Sequence, residues 1–352
     1  MSESEAASCA RATLQRKEDM AESESRLTTD DRIALFRNLA RAMAQDRLMM
    51  RLIRSGRLVG FYHEGGIALA PGVAAGHFLT KDDIMWPHYR AHGLAHLISK
   101  GIDTRSYFAE HMGREAGCCS GRSSFHLSYP SDHVFGFSGN IGANFPFSVG
   151  YGLAAKRKGL GQVVMSCSGD GSYGEGRAHE ALLVAANWAL PIVFWCENNG
   201  MAQHSGAADI FPRPDISGLA AGFGIEAHVV DGQDVFACAE MAHYAIESVR
   251  SGQGPIFVEC KTLRAQEHNV GGVNYEGKRA RDPALMETWK TDRNPLKIAE
   301  EKLLADEVLT KADIDRIHEE VESECEEIEA FAEASPKAMP SIDDLQSAVY
   351  AT

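Results

Sequence analysis

Residues Val163 to Ser205, VVMSCSGDGSYGEGRAHEALLVAANWALPIVFWCENNGMAQHS, decide the fold. Val163–Ser168 has the pattern of a buried strand and is broken by Gly169-Asp170-Gly171. From about Glu175 to Ala189, Ala181, Leu182, Val184, Ala185 and Trp188 recur at helical spacing. Leu190-Pro191 ends that helix, and a second apolar run, Ile192–Cys196, stops on Glu197-Asn198-Asn199. Strand, helix and strand of this length form a βαβ unit with a right-handed crossover. Both polar motifs then sit at the carboxyl ends of parallel strands, where open α/β sheets bind their ligands.

The residue types narrow the ligand. Asp170 and Asn199 offer hard oxygen donors, which suit magnesium or calcium and not zinc or copper. Gly169 and Gly171 let the backbone approach a bulky anion, and the helix start beyond Ser172 favours negative charge. A single carboxylate leaves a magnesium ion net positive, so diphosphate oxygens and water would complete its shell. Gly-Asp-Gly alone is common in loops; its pairing with Asn-Asn one strand later makes the signal specific.

Together the two motifs resemble the thiamine-diphosphate fingerprint. The fuller text, GDGxxxEGxxxEAxxxAxxxxLPxxFxxENNxxA, resembles the alpha subunits of 2-oxo acid and acetoin dehydrogenases, and the resemblance runs from about Arg54 to Tyr350. It implies an α/β thiamine-diphosphate-binding fold, a mainly parallel doubly wound sheet with helices on both faces. It also implies thiamine diphosphate and Mg2+ as cofactors, with Asp170, Asn199 and Met201 at the metal and Gly169, Gly171 and Ser172 at the diphosphate. The implied chemistry is attack by the thiazolium ylid on a small carbonyl substrate, then loss of carbon dioxide or C–C cleavage. In this family the activating glutamate comes from a separate beta subunit. An α2β2 heterotetramer is therefore expected, with a lipoyl acyltransferase as a further partner.

Outward from the central unit, Gly60-Phe61-Tyr62-His63 resembles the family's GFxH, and Tyr89-Arg90-Ala91-His92-Gly93 follows at the family's spacing. Arg90 can grip diphosphate oxygens through a charged fork and Tyr89 adds a neutral donor; the resemblance places His63 against the reacting part of the cofactor. Gly139-Asn140-Ile141-Gly142 resembles the loop whose backbone cradles the aminopyrimidine, with Gly139 and Ile141 at its contacts. Gly121–His126 stands for the family's GGSMH and keeps its histidine, His126. His268 falls on the histidine of the family's YRxxGHSxxD loop. His63, His126, His204 and His268 are thus the expected catalytic imidazoles, with His63 and His268 also at the cofactor.

The departures carry information too. Ile67-Ala68-Leu69 replaces polar residues of the relatives, making apolar a patch expected near the cofactor, so pyruvate is not carried over as substrate. His204-Ser205 stands where relatives have Ser or Gly, then Thr. After His268, Asn269-Val270-Gly271-Gly272 replaces the Ser and Asp that kinases regulate in mitochondrial members, and no such control is expected. Lys278, Arg279 and Arg281 read either as a carboxylate site or as solubilising charge, the latter favoured.

The chain has 352 residues, 44% apolar, with a net charge of −14. The charge argues against nucleic acid and anionic membrane as partners. No apolar run approaches membrane-spanning length and no signal-peptide core is visible, so a cytoplasmic protein is expected. Eight cysteines without CxxC spacing read as reduced core thiols. Residues 1–28 read as a flexible arm, and 29–352 as a single domain with a helical C-terminal extension from about 294. Helices are expected from Thr29-Asp30-Asp31 to about Ile53 and over Val235–Ser251; strands over Glu226–Val230 and Ile256–Lys261. Glu319–Glu329 reads as a solvated helix face. The leading function is a dehydrogenase alpha subunit; a thiamine-dependent carboligase or lyase subunit and a non-catalytic scaffold are the alternatives.

Overall fold

The computed structural model describes residues 27–58, 60–123, 125–136, 138–213, 215–270 and 282–349. Residues 1–26 of the expected arm lie outside the described residues, as do Ser124, Gly271-Gly272, Lys278, Arg279 and Arg281. The arm does not reach 28. Leu27 is buried in the main core, and Thr28 caps the first helix. Thr28 Oγ1 accepts from Asp31 N at 3.1 Å while Asp31 Oδ2 accepts from Thr28 N at 2.9 Å. This reciprocal box satisfies two donors that a helix start would otherwise leave open.

In chain order the first half runs α1 (Thr29–Arg54), α2 (Ala70–His77), β1 (Ile84–Trp86), α3 (Leu94–Ser99), α4 (Arg105–His111), α5 (Asn144–Lys158), β2 (Val164–Gly169), α6 (Gly176–Asn187) and β3 (Ile192–Asn198). The second half runs β4 (Met201–Ala202), β5 (Ser205–Gly206), α7 (Ala207–Ile210), α8 (Ser217–Gly222), β6 (Glu226–Asp231), α9 (Val235–Arg250), β7 (Ile256–Lys261), α10 (Pro283–Thr291), α11 (Pro295–Ala305), α12 (Lys311–Ala334) and α13 (Ile342–Val349). Five strands form one parallel sheet in the order β1-β2-β3-β7-β6, and β4 and β5 make a small antiparallel hairpin. The expected α/β architecture is observed, with β3 two residues longer than its apolar run. The helical tail holds three helices, α11 to α13, and the chain turns between the first two at Glu307, whose φ is 54°.

Every residue of β2 and β3 is buried, which explains their nearly unbroken apolar runs. The pleat sends alternate side chains to opposite faces. Met165, Cys167, Val193 and Trp195 join the core under α1, α2 and α9. Val164, Ile192, Phe194 and Cys196 meet α5, α6 and α8 on the other face. Phe194 is fully buried, so its truncation to alanine would cost about 3–5 kcal/mol. Among the described residues the seven cysteines form no disulfide, and five of them are buried.

The acidic run on α12 is more than a solvated face. Arg37, Arg47 and Arg51 of α1 pair with Glu320, Glu322 and Glu329. Arg41 forks Glu324 with contacts of 2.8 and 2.6 Å. The exposed pairs contribute little each, and the half-buried fork fixes the register of the two helices. Among the described residues no helix is long and apolar enough to cross a membrane.

Candidate active site

The carboxyl ends of β2 and β3 open onto a cleft of about 320 Å³. Asp170, Ser172, Asn199 and Met201 line it from the strand ends, with Gly169 and Gly171 between them. His63, Tyr89 and His268 line it from three other loops, and Gly139 and Ile141 close one side. Eleven of the fourteen site residues expected from the sequence therefore meet around one space. Two glycines are demanded by close approach. A Cβ on Gly169 would sit 2.9 Å from His88 Nε2, and one on Gly171 would sit 2.5 Å from Ala202 Cβ.

Asp170 is 1% exposed, and burial raises its carboxyl to about 6. Its Oδ2 has no hydrogen-bond partner among the described residues. A buried, unpartnered carboxylate oxygen is costly, and a cation would satisfy it. Asn199 Oδ1 accepts from Met201 N at 3.1 Å, which folds the turn after β3 back towards Asp170. Its neighbour Asn198 points elsewhere, donating to Glu259 at 2.6 Å. The two asparagines thus divide, one to the cleft and one to the sheet core.

His63 and His268 face each other edge to face, ring centroids 4.7 Å apart. Burial, then the nearby Arg90, pushes His63 down to about 2 and His268 to about 3, so both imidazoles are neutral at pH 7. Arg264 Nη1 lies 3.4 Å from His268 Nδ1. A guanidinium only donates, so His268 Nδ1 accepts and the ring proton sits on Nε2.

Three expected site residues do not line the cleft. Arg90 is buried, with Nη1 donating to the carbonyls of His268 at 3.0 Å and Glu64 at 3.2 Å. Its guanidinium holds the His268 loop instead of opening to the cleft. His126 is exposed on the far side of Phe125, ring centroids 4.8 Å apart. His204 is half-buried behind His268, 5.9 Å between centroids. The apolar triplet Ile67-Ala68-Leu69 is buried in the core and is not part of the cleft wall, so it does not bear on substrate polarity there.

Other residues carry the site without a motif to reveal them. His88 lines the cleft and donates through Nδ1 to Glu197 at 3.1 Å, which also accepts from His96 Nε2 at 2.7 Å. Burial alone would raise the Glu197 carboxyl, but His96 and His88 hold it down to about 2. Asp46 receives Tyr62 Oη at 2.6 Å and the amides of Gly65 and Gly66, fixing the turn that follows His63. A helical acid facing a distant loop leaves no trace in local periodicity; only the Glu of ENN stood inside a recognisable text.

A family model described as "Dehydrogenase E1 component" matches residues 37–341. The alpha subunit of acetoin:2,6-dichlorophenolindophenol oxidoreductase from Cupriavidus necator is 33% identical over 296 residues, 84% of this chain and 86% of that protein. The pyruvate dehydrogenase E1 component subunit alpha of Zymomonas mobilis is 33% identical over 293 residues, 82% of this chain and 80% of its own length. The human somatic mitochondrial form of that subunit is 30% identical over 337 residues, 93% of this chain and 81% of its own. The chain belongs to the dehydrogenase E1 component family, the alpha-subunit family of thiamine-diphosphate-dependent 2-oxo acid and acetoin dehydrogenases.

Proposed function

We propose that this chain, as one cytoplasmic domain from about residue 29, pairs with a beta subunit in an α2β2 enzyme that cleaves a 2-oxo acid or an acyloin such as acetoin. The product acyl or aldehyde unit passes to a lipoyl acceptor. The observation that carries the reading is the unpartnered Oδ2 of buried Asp170, beside Asn199 and across the cleft from His63 and His268. Asp170 and Asn199, with Met201 at the same turn, would hold Mg2+ and through it a diphosphate. Tyr89 would add a hydroxyl donor, and Gly139 and Ile141 would bracket the cofactor's ring. When bound, thiamine diphosphate supplies an electron sink for breaking a bond next to a carbonyl. The chain's own residues bind, orient and move protons. His268 donates from Nε2–H to a substrate oxygen, and Phe61 and Phe125, 5.7 Å apart, limit water at the mouth.

The test is thermal denaturation of the chain assembled with its beta subunit. Magnesium and thiamine diphosphate together, at a hundredfold excess over Kd, should stabilise it by roughly 2.7 kcal/mol. No shift with both present, or robust turnover by this chain alone, would overturn the reading.

A further inference from the structure

Three histidines from three separate segments join behind the cleft. His63 Nδ1 lies 3.4 Å from His92 Nε2. His92 Nδ1 lies 2.9 Å from His111 Nε2, and His111 Nδ1 lies 2.9 Å from the backbone carbonyl of Tyr107. All three rings are buried, at 3%, 0% and 6% exposure. The spacing of the first pair is long, and the other two are ordinary hydrogen bonds.

The direction of this chain is set at its far end. A carbonyl oxygen only accepts, so His111 Nδ1 carries a proton. The neutral ring then offers a lone pair at Nε2, which requires His92 Nδ1 to donate. His92 Nε2 is thereby left as acceptor and orients His63 Nδ1 as donor. One nitrogen remains: His63 Nε2, with its lone pair, on a ring that lines the cleft. No partner for it exists among the described residues. The backbone is held to this purpose. Ala91 and His92 adopt left-handed φ values of 50° and 45°, uncommon for residues with a Cβ. Tyr107 Oη donates to the Ala91 carbonyl at 2.9 Å, and Ala91 N donates to the His63 carbonyl at 2.7 Å.

We propose that His92 and His111 are positioning residues, through which the Tyr107 carbonyl fixes the tautomer of His63 so that its Nε2 presents a lone pair to the cleft. The two facing imidazoles then have opposite polarity. His63 Nε2 accepts a hydrogen bond from an O–H or N–H of the bound reactants, and His268 Nε2–H, set by Arg264, donates one. A donor and an acceptor side by side follow from what each ring leans on, a carbonyl in one case and a guanidinium in the other. The consequence for turnover rests on the function proposed above, which puts the reactants in this cleft; the tautomer itself does not.

The two are therefore tested apart. Histidine-specific 15N labelling of the full-length chain, with the His63 signals assigned by loss in His63→Gln, reads which ring nitrogen carries the proton without any cofactor. His63 should show a protonated Nδ1 and a bare Nε2, reverting towards the mixture of free histidine in His111→Phe. A protonated Nε2 in the parent chain would overturn the proposal, whatever the variants do. In the assembled enzyme, His111→Phe should lower kcat about 10- to 100-fold, the usual worth of an outer partner. His111→Gln, which keeps an acceptor for His92, should stay within about threefold of the parent. The stabilisation by magnesium and thiamine diphosphate should be unchanged in both. Equal loss in Phe and Gln would show that bulk at 111, not the acceptor, matters, and would sink the relay. Absence of the stabilisation in the parent would count against the proposed function alone.

Discussion

Arg90 Nη1 donates to the backbone carbonyl of His268 across 3.0 Å, and the same nitrogen reaches the carbonyl of Glu64 at 3.2 Å. One buried cation thus ties the turn after His63 to the loop that carries the opposite imidazole. Val270 N, donating to the Tyr62 carbonyl at 2.8 Å, adds a second tie between the same segments. A lysine ammonium stands one bond short of the position of an arginine Nη, so it would not keep both contacts. Arg90→Ala and Arg90→Lys should therefore loosen residues 266–270 first. Hydrogen exchange of those amides should accelerate while β2 and β3 keep their protection, and kcat should fall by about 10- to 100-fold. Equal acceleration in the strands would mean that Arg90 holds the fold as a whole.

Asp170 predicts opposite effects in two states. Without cation, its buried Oδ2 is an uncompensated acceptor, so Asp170→Asn should stabilise the cofactor-free protein by about 1–3 kcal/mol. The same change should abolish the stabilisation by magnesium and thiamine diphosphate. Urea midpoints with and without both ligands check the pair of effects. A variant that loses stability in both states would assign Asp170 a structural role.

His268→Ala should lower kcat by about 10²- to 10⁴-fold while cofactor binding holds, the usual worth of a positioned acid. Burial, then Arg90 and Arg264, pushes this imidazole to about 3, so it stays neutral throughout the physiological range. The kcat profile of the parent should accordingly show no limb from His268 between pH 5 and 8. Loss of a limb near pH 6.5 in His268→Ala would contradict that, and kcat within threefold of the parent would remove His268 from the chemistry.

His111 gives a pH dependence of stability. Burial lowers it from 6.5 to about 4, while the Tyr107 carbonyl pulls the other way. The unfolded chain therefore takes up this proton before the folded one. The stability contributed is full above about 6.5 and is lost as pH falls through 4. The gap corresponds to roughly 3 kcal/mol at most, at 1.36 kcal/mol per pH unit. The stability difference between the parent and His111→Gln should shift by up to that amount, against the parent, from pH 7 to pH 4. Denaturant midpoints measured across this range test it; a pH-independent difference would refute it.

The sequence by itself determined the central βαβ unit and the residues at its strand ends. Local periodicity sets the elements, and strand polarity sets which ends open to a ligand, so Asp170 and Asn199 were legible as cleft residues from one stretch of 43 residues, while Met201 came from the family resemblance. The helix and strands that follow, Val235–Arg250 and Ile256–Lys261 among them, were legible for the same reason. β1 was not, because three residues are too few to show a period; its place at the sheet edge comes from pairing with β2. Only the tertiary structure decided where the buried polar groups point. Arg90 finds a carbonyl 178 residues away, Glu197 finds His88 and His96 about a hundred residues back, and His63, His92 and His111 meet from three segments. A buried hydrogen bond must be satisfied by whatever the fold brings near it, and sequence spacing carries no record of that partner.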